Sequence, residues 1–140
     1  MDKNALRINY VAVFVAAHAA FVASSVWYVA FAKELTKFSP ALAAMSNPPL
    51  GNVLIEFVRS LIIAYVLARF AAGLGIADWK GAMGLGVWMW VGFPVVLLAG
   101  SIMWEKVPWQ LAAIHAGDWL VKLVLIAVIV GAWRRKTTER

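Results

Sequence analysis

The sequence predicts an all-α membrane protein, a four-transmembrane-helix antiparallel bundle with cytoplasmic N- and C-termini. Of the 140 residues, 64% are hydrophobic and only 14% are charged, so a small soluble domain of this composition would expose a large apolar surface. Apolar runs of about the 20 residues needed to cross a bilayer occur four times, near 8–31, 50–71, 82–103 and 109–133. These runs use most of the length, which predicts a single membrane domain over residues 1–140.

The basic residues are divided unevenly between the two sides of this arrangement. One side carries Lys3, Arg7, Arg69, Lys80, Arg134, Arg135, Lys136 and Arg140, and the other carries Lys33, Lys37 and Lys106. The positive-inside rule therefore places both termini in the cytoplasm, as in a multi-pass protein of the bacterial inner (plasma) membrane. We interpret the net charge of +6 as an orientation signal, and we expect the lipid bilayer rather than nucleic acid as the partner.

Several classes of chemistry are absent from the sequence. There is no cysteine, which excludes disulfides, thiolate metal sites and cysteine nucleophiles. There is also no glycine-rich phosphate loop, catalytic-triad order or HExxH spacing, so we predict neither an enzyme nor a metal site. The first apolar run is longer than the roughly 7–15 residues of a signal-peptide core, and we expect it to be a retained helix.

The first helix has two distinct faces. Ala12, Ala16, Ala20 and Ser24 recur every four residues and predict a groove that another helix backbone can approach closely. His18 lies nearly opposite this stripe at about 100° per residue. Either both faces avoid lipid within the chain, or one of them contacts a second copy or another membrane protein.

The connection over residues 32–49 is the longest in the chain. Ser39 followed by Pro40 is typical of a helix start, whereas Ser46–Pro49 cannot continue a helix. We therefore expect a short interfacial helix near 40–45, acting as a lid or as a spacer. The connections at 72–80 and 104–108 are short and favour antiparallel neighbours.

Proline and tryptophan mark particular depths in the bilayer. Pro94 lies near the middle of the third run, with Gly92 close by, so the carbonyl of Trp90 loses its donor and the helix is expected to kink. Predicted boundary tryptophans are Trp27, Trp104 and Trp109 on the outer side and Trp79 and Trp133 on the inner side. The deeper indoles of Trp88, Trp90 and Trp119 each need a hydrogen-bond partner.

Two polar stripes interrupt the apolar background of the second and fourth helices. The helical period places Asn52, Glu56, Arg59 and Ser60 on one face, and His115, Asp118, Trp119 and Lys122 on another. At about 1.5 Å per residue, Glu56 and His115 lie about 9 Å deep, Arg59 and Asp118 about 13 Å, Lys122 about 20 Å, and His18 about 15 Å from the inner side. We predict that these nine residues form one site, because intramembrane charges normally face a protein interior or a cavity.

The function of this site has three interpretations. It could bind or translocate a small polar or charged solute or protons, since buried His, Asp and Lys can titrate near neutral pH and Arg with Lys can hold an anion. It could instead be a packing network in a structural or accessory subunit of a membrane complex or homo-oligomer. Haem ligation by His18 and His115 is the weakest interpretation, because single buried histidines are mostly hydrogen-bonded core residues, and no other cofactor is expected.

Three short motifs resemble a known family. They are the run Ile8–Val13, the pair Trp27–Tyr28 at the end of the first helix, and the segment Ile114–Val121 in the fourth. Together they resemble small bacterial four-helix integral membrane proteins catalogued as a domain of unknown function. The resemblance implies four helices and no assigned activity, and it transfers no catalytic residue.

Overall fold

The computed structural model describes residues 7–43 and 48–134, apart from the side chains of residues 42 and 43, and these residues form helices without strands. The helices are α1 (Tyr10–Ala30), α2 (Ala32–Thr36), α3 (Pro40–Ala43), α4 (Leu50–Gly73), α5 (Trp79–Trp90), α6 (Val96–Trp104) and α7 (Trp109–Ala132). A π-helical turn, Val91–Val95, joins α5 to α6. The four expected apolar runs therefore coincide with α1, α4, the continuous stretch from α5 to α6, and α7.

Three of these stretches are long and apolar enough to cross a membrane: Tyr10–Ala30, Trp79–Trp104 and Trp109–Ala132. The 24-residue α4 has the same length as α7. Large apolar side chains cover the outer surface, as expected of helices in contact with lipid rather than water. Examples are Tyr10, Val26, Leu54, Val58, Ile62, Phe93 and Leu97.

α1 and α7 run antiparallel. Before the start of α1, the Asn9 side-chain amide donates to the Trp133 carbonyl just after the end of α7 (3.0 Å). Near the other end, the Trp27 indole N–H donates to the Ile114 carbonyl (3.0 Å). The beginning of α1 and the end of α7 therefore lie at the same end of the molecule.

α7 lies at the centre of the molecule and packs against α1, α4 and α5. The Arg134 guanidinium, just after α7, donates to the carbonyl of Ala71 near the end of α4 (3.4 Å), so these two helices run in the same direction. Trp90 at the end of α5 donates its indole N–H to the Ala116 carbonyl near the start of α7 (2.8 Å), so α5 runs antiparallel to α7.

Small residues allow the helices to approach closely. The predicted stripe of α1, Ala12, Ala16, Ala20 and Ser24, is buried, and it faces other helices of the same chain. A second close contact, between α5 and α7, was not predicted. A Cβ atom on Gly86 would lie 2.9 Å from the Leu123 carbonyl oxygen and from the Val124 Cα atom, so only glycine fits there.

The interruption expected at Pro94 takes the form of the π-helical turn, in which Pro94 is buried. Proline has no N–H to donate, and a π turn is a common way for a helix to absorb that loss. Trp90, directly before this turn, has the hydrogen-bond partner expected for a deep indole, the Ala116 carbonyl. Trp88, by contrast, is 75% exposed and lies on the outer surface.

The connection between α1 and α4 contains more helix than expected. α3 begins at Pro40 as predicted, with the Ser39 hydroxyl accepting from the Ala41 N–H (3.2 Å), while the expected end at residue 45 lies outside the described residues. The preceding segment was predicted as a loop but forms α2, directly after Phe31. Its Leu35 is only 1% exposed, so α2 is held by apolar burial that the loop prediction overlooked.

Candidate functional site

A cleft of about 640 Å³ lies between α1, α2, α4 and α7. Its polar lining comprises Ser24, Ser25, Tyr28, Lys33, Thr36, Asn52, Glu56, Arg59, Asp118, Trp119 and Lys122. Six of the nine residues predicted from the sequence are in this set. The structure thus brings most of the two polar stripes to the wall of one cavity.

Lys122, like Asp118, is a buried charge of the site. Its ammonium nitrogen lies 2.9 Å from Glu56 Oε1, on α4, and 3.8 Å from Asp118 Oδ2, one turn earlier on α7. The same nitrogen lies 5.1 Å from the centre of a Trp119 ring. The side chain is only 4% exposed, and a buried ammonium requires such partners because its desolvation is costly.

Glu56 connects this buried charge to the cleft opening. Its Oε1 accepts from Lys122 and its Oε2 accepts from the Arg59 guanidinium, one turn later on α4. Exposure of the side chain rises from 4% in Lys122 to 31% in Glu56 and 53% in Arg59. The network therefore runs from the interior of the helix packing outward, and the four charges lie together as expected for one site.

Asp118 has a second partner on α1. The Ser24 hydroxyl donates to Asp118 Oδ1 at 2.5 Å, and both residues are buried. From the sequence, Ser24 is expected only as a member of the small-residue stripe. Its hydroxyl was the available signal, because it is the only polar member of an otherwise alanine stripe that faces another helix.

Tyr28, which was not predicted as a site residue, lies one turn after Ser24 and also lines the cleft. Its hydroxyl lies 2.8 Å from His115 Nδ1. His115 itself is half-buried and does not line the cleft. The predicted role of His115 is therefore only partly supported, since its hydrogen bond is to the tyrosine and not to one of the four charges.

His18 does not join the site, which corrects the sequence prediction. The residue is exposed, and its ring packs against Phe14 (5.7 Å between ring centres) and Phe57 (5.4 Å). The cause is rotation about the helix axis, because burial of the alanine stripe turns the opposite face of α1 outward. Neither histidine lines the cleft formed by the described residues, so we find no support for a haem held between them.

The other predicted residues occupy different places. Asn52 lies at the exposed start of α4 and lines the cleft, as does Trp119. Ser60 does not line it: the residue is fully buried in the core, and its hydroxyl has no hydrogen-bond partner among the described residues. Ser60 follows Arg59 directly and is therefore about 100° away from it around α4, which is enough to turn it from the cleft into the core.

The cleft is closed on one side by aromatic rings between α1 and α4. Phe21, which lines the cleft, packs edge-on against Phe57 (6.1 Å between ring centres), and Phe14 packs against the same ring (6.0 Å). At the other side, Lys33 and Thr36 of α2 and Pro48 form the lining. The polar cavity therefore lies toward the α2 end of the molecule.

The described residues contain no group of three or more His, Asp or Glu side chains that could hold a metal ion. Within this part of the chain, the chemistry of the site is that of paired charges, hydroxyl groups and aromatic rings around a cavity. Such a lining suits recognition of a small polar or charged molecule by charge and hydrogen bonding.

Comparison with known proteins gives a family but no activity. Neither a curated protein nor a solved structure matches the sequence. The model of the family described as "Protein of unknown function (DUF1761)" matches residues 11–131, in agreement with the resemblance to a domain of unknown function. The chain therefore belongs to the DUF1761 family.

Proposed function

We propose that this chain crosses the bilayer four times, with both termini in the cytoplasm, and that its cleft binds or translocates a small polar or charged solute. α4, which is not among the three spans named above, is the additional span in this proposal. Two of its three charged residues, Glu56 and Arg59, pair with each other, which lowers an insertion cost of about 2.5–3.5 kcal/mol for an unpaired charge. The exposed residues Leu54, Val58 and Ile62 give α4 an apolar outer face.

One observation carries the binding proposal: the charged network lines a cavity. A network that served packing alone would be expected to lie sealed between helices, where apolar side chains often do as well. Here Glu56, Asp118 and Lys122 all contribute to the wall of a 640 Å³ cleft, a volume within the usual range of small-molecule sites. Intramembrane charges that line a cavity mark solute or ion pathways in membrane proteins.

A structural role is the second candidate, and a separate observation favours it. The side chains of Lys122 and Asp118 are only 4% and 5% exposed, and their partners Ser24 and Glu56 lie on two other helices. The network thus links α1, α4 and α7. In a structural or accessory subunit of a membrane complex or homo-oligomer, the charged residues would serve only to hold these three helices together.

Thermal unfolding of the purified protein in neutral detergent separates the two candidates. The wild type and the double variant Asp118→Asn with Lys122→Met are compared with and without a panel of anionic, cationic and neutral solutes. Binding predicts that one solute class raises the wild-type melting temperature with a saturating concentration dependence, since a ligand stabilises the state that binds it. The shift should be smaller in the double variant, in which the Lys122 ammonium and the Asp118 carboxylate no longer contribute to the cavity wall. A folded wild type that responds to no class of solute would contradict the binding proposal.

A further inference from the structure

We propose that the ligand of the cleft carries an oxyanion, either a carboxylate or a phosphate group, held between Arg59 and Lys33. This inference rests on the proposed binding function and specifies its substrate class. The shared chemistry is the oxyanion itself, which either a soluble solute or a lipid headgroup could supply.

The balance of charge in the cleft favours an anion. Among the residues that the structure describes, three cations line the cavity, Lys33, Arg59 and Lys122, against the two carboxylates of Glu56 and Asp118. Both carboxylates are already engaged, Glu56 by two cations and Asp118 by Ser24 and Lys122. A cationic ligand would have to displace one of these internal partners, whereas an anion would not.

Arg59 can offer several donors to such a ligand. A guanidinium has five N–H donors in a planar fork, and Arg59 donates to Glu56 through Nη1. The side chain is 53% exposed and lines the cleft. The fork geometry suits two oxygens of a carboxylate or phosphate, and such charge-assisted bonds are stronger than neutral ones.

Lys33 supplies the second cation, from α2. Its acidic neighbour Glu34 pairs instead with Lys37, at 2.8 Å, and within the described residues Lys33 forms no salt bridge. Lys33 lines the cleft, whereas Lys37 does not. The ammonium of Lys33 and the guanidinium of Arg59 thus contribute to one cavity from two different helices.

Titration of the full-length protein in neutral detergent with inorganic phosphate tests this assignment, with KCl at matched ionic strength as the salt control. We expect phosphate to raise the melting temperature at saturation. Arg59→Gln and Lys33→Gln should weaken the apparent affinity by roughly tenfold or more, the value of one hydrogen bond to a charged group. Lys37→Gln, which removes the same charge just after the end of α2 and outside the cleft, should leave the affinity unchanged. The apparent affinity of Arg59→Lys for phosphate should lie between those of the wild type and Arg59→Gln.

A parallel measurement in nanodiscs identifies the source of the oxyanion. If phosphatidylglycerol stabilises the wild type relative to phosphatidylcholine, with the same dependence on Arg59 and Lys33, the oxyanion belongs to a lipid headgroup.

Equal loss of affinity in Lys37→Gln and Lys33→Gln would overturn the assignment, because it would indicate a general charge effect. If neutral or cationic solutes bind while phosphate and phosphatidylglycerol both fail, the oxyanion assignment is wrong and the binding proposal survives. If nothing binds, both are wrong.

Discussion

The Lys122 ammonium nitrogen lies 2.9 Å from Glu56 Oε1, and this contact joins the centre of α7 to α4. Asp118, one turn away on the same helix, is the more distant partner at 3.8 Å. Lys122 therefore keeps a close counter-ion when Asp118 is altered. Asp118 has no second cation within salt-bridge distance among the described residues, so without Lys122 it would keep the Ser24 hydroxyl as a partner but no positive charge.

Because Lys122 has two carboxylate partners and Asp118 has one cation, we expect variants of these two residues to differ in stability. Lys122→Met should be the most damaging single change, by about 3–5 kcal/mol, because it leaves the buried Asp118 carboxylate without a cation. Asp118→Asn should be milder, since Glu56 still pairs with Lys122. The combined Asp118→Asn and Lys122→Met change should also be milder than Lys122→Met alone. Chemical unfolding in detergent measures these differences, and a more severe loss in Asp118→Asn than in Lys122→Met would refute this order.

Much of the fold and part of the site could be predicted from the sequence. Hydropathy and length predicted the four long helical stretches, because a helix that crosses a bilayer must be apolar and about 20 residues long. The helical period alone placed Glu56 beside Arg59 and Asp118 beside Lys122. The direct contact between Glu56 and Lys122 was not predicted as a pair, because their expected depths differ by about 11 Å and only the folded helices show how far the long lysine side chain reaches.

The site residues that were predicted wrongly or overlooked differ from the prediction mainly in their position around the helix axis. Depth along a helix does not determine which way a side chain points, so His18 was wrongly included although burial of the alanine stripe turns it outward. Ser60 was wrongly included because a face defined by spacings of three and four residues is too wide. Tyr28 was overlooked because an aromatic residue near a helix end is typical of the membrane boundary, and only the folded structure brings it to His115.

The close contact of α5 with α7 predicts different effects of two neighbouring glycine substitutions. Gly86→Ala should destabilise the protein by about 1–3 kcal/mol, because the new methyl group would overlap the backbone at Leu123 and Val124. Gly84→Ala on the same helix meets open space and should be neutral or slightly stabilising, since alanine favours helix by up to about 1 kcal/mol. Melting temperatures of the two variants test this contrast, and equal values would show that the α5–α7 packing is looser than described.

The buried stripe of α1 predicts a second contrast. Ala16 is fully buried, so Ala16→Leu should separate the helices and lower stability by about 1–3 kcal/mol or more. Ala30→Leu, at the exposed end of the same helix, should have little effect. Thermal unfolding and size-exclusion chromatography in detergent provide the comparison. Wild-type stability of Ala16→Leu would indicate that the stripe tolerates wider spacing.

The proposed orientation can be tested with single cysteines, because the natural chain has none. In intact cells, a membrane-impermeant thiol reagent should label Lys37→Cys on the outer side and leave Lys80→Cys unlabelled until the membrane is broken. The asymmetry of basic residues is the reason for this expectation. Labelling of Lys80→Cys alone would invert the topology and place the cleft on the cytoplasmic side.

The central claim, that the charged cleft is open to water and to a solute, is tested most directly by the reactivity of two further single cysteines on α1. Ser25 lines the cleft, whereas Val22, one turn earlier, is exposed on the outer surface and does not line it. In the membrane-embedded protein, a small charged thiol reagent should modify Ser25→Cys and should leave Val22→Cys, which faces lipid, unmodified. Failure of Ser25→Cys to react in a folded protein would contradict the claim, as would equal reaction of both cysteines.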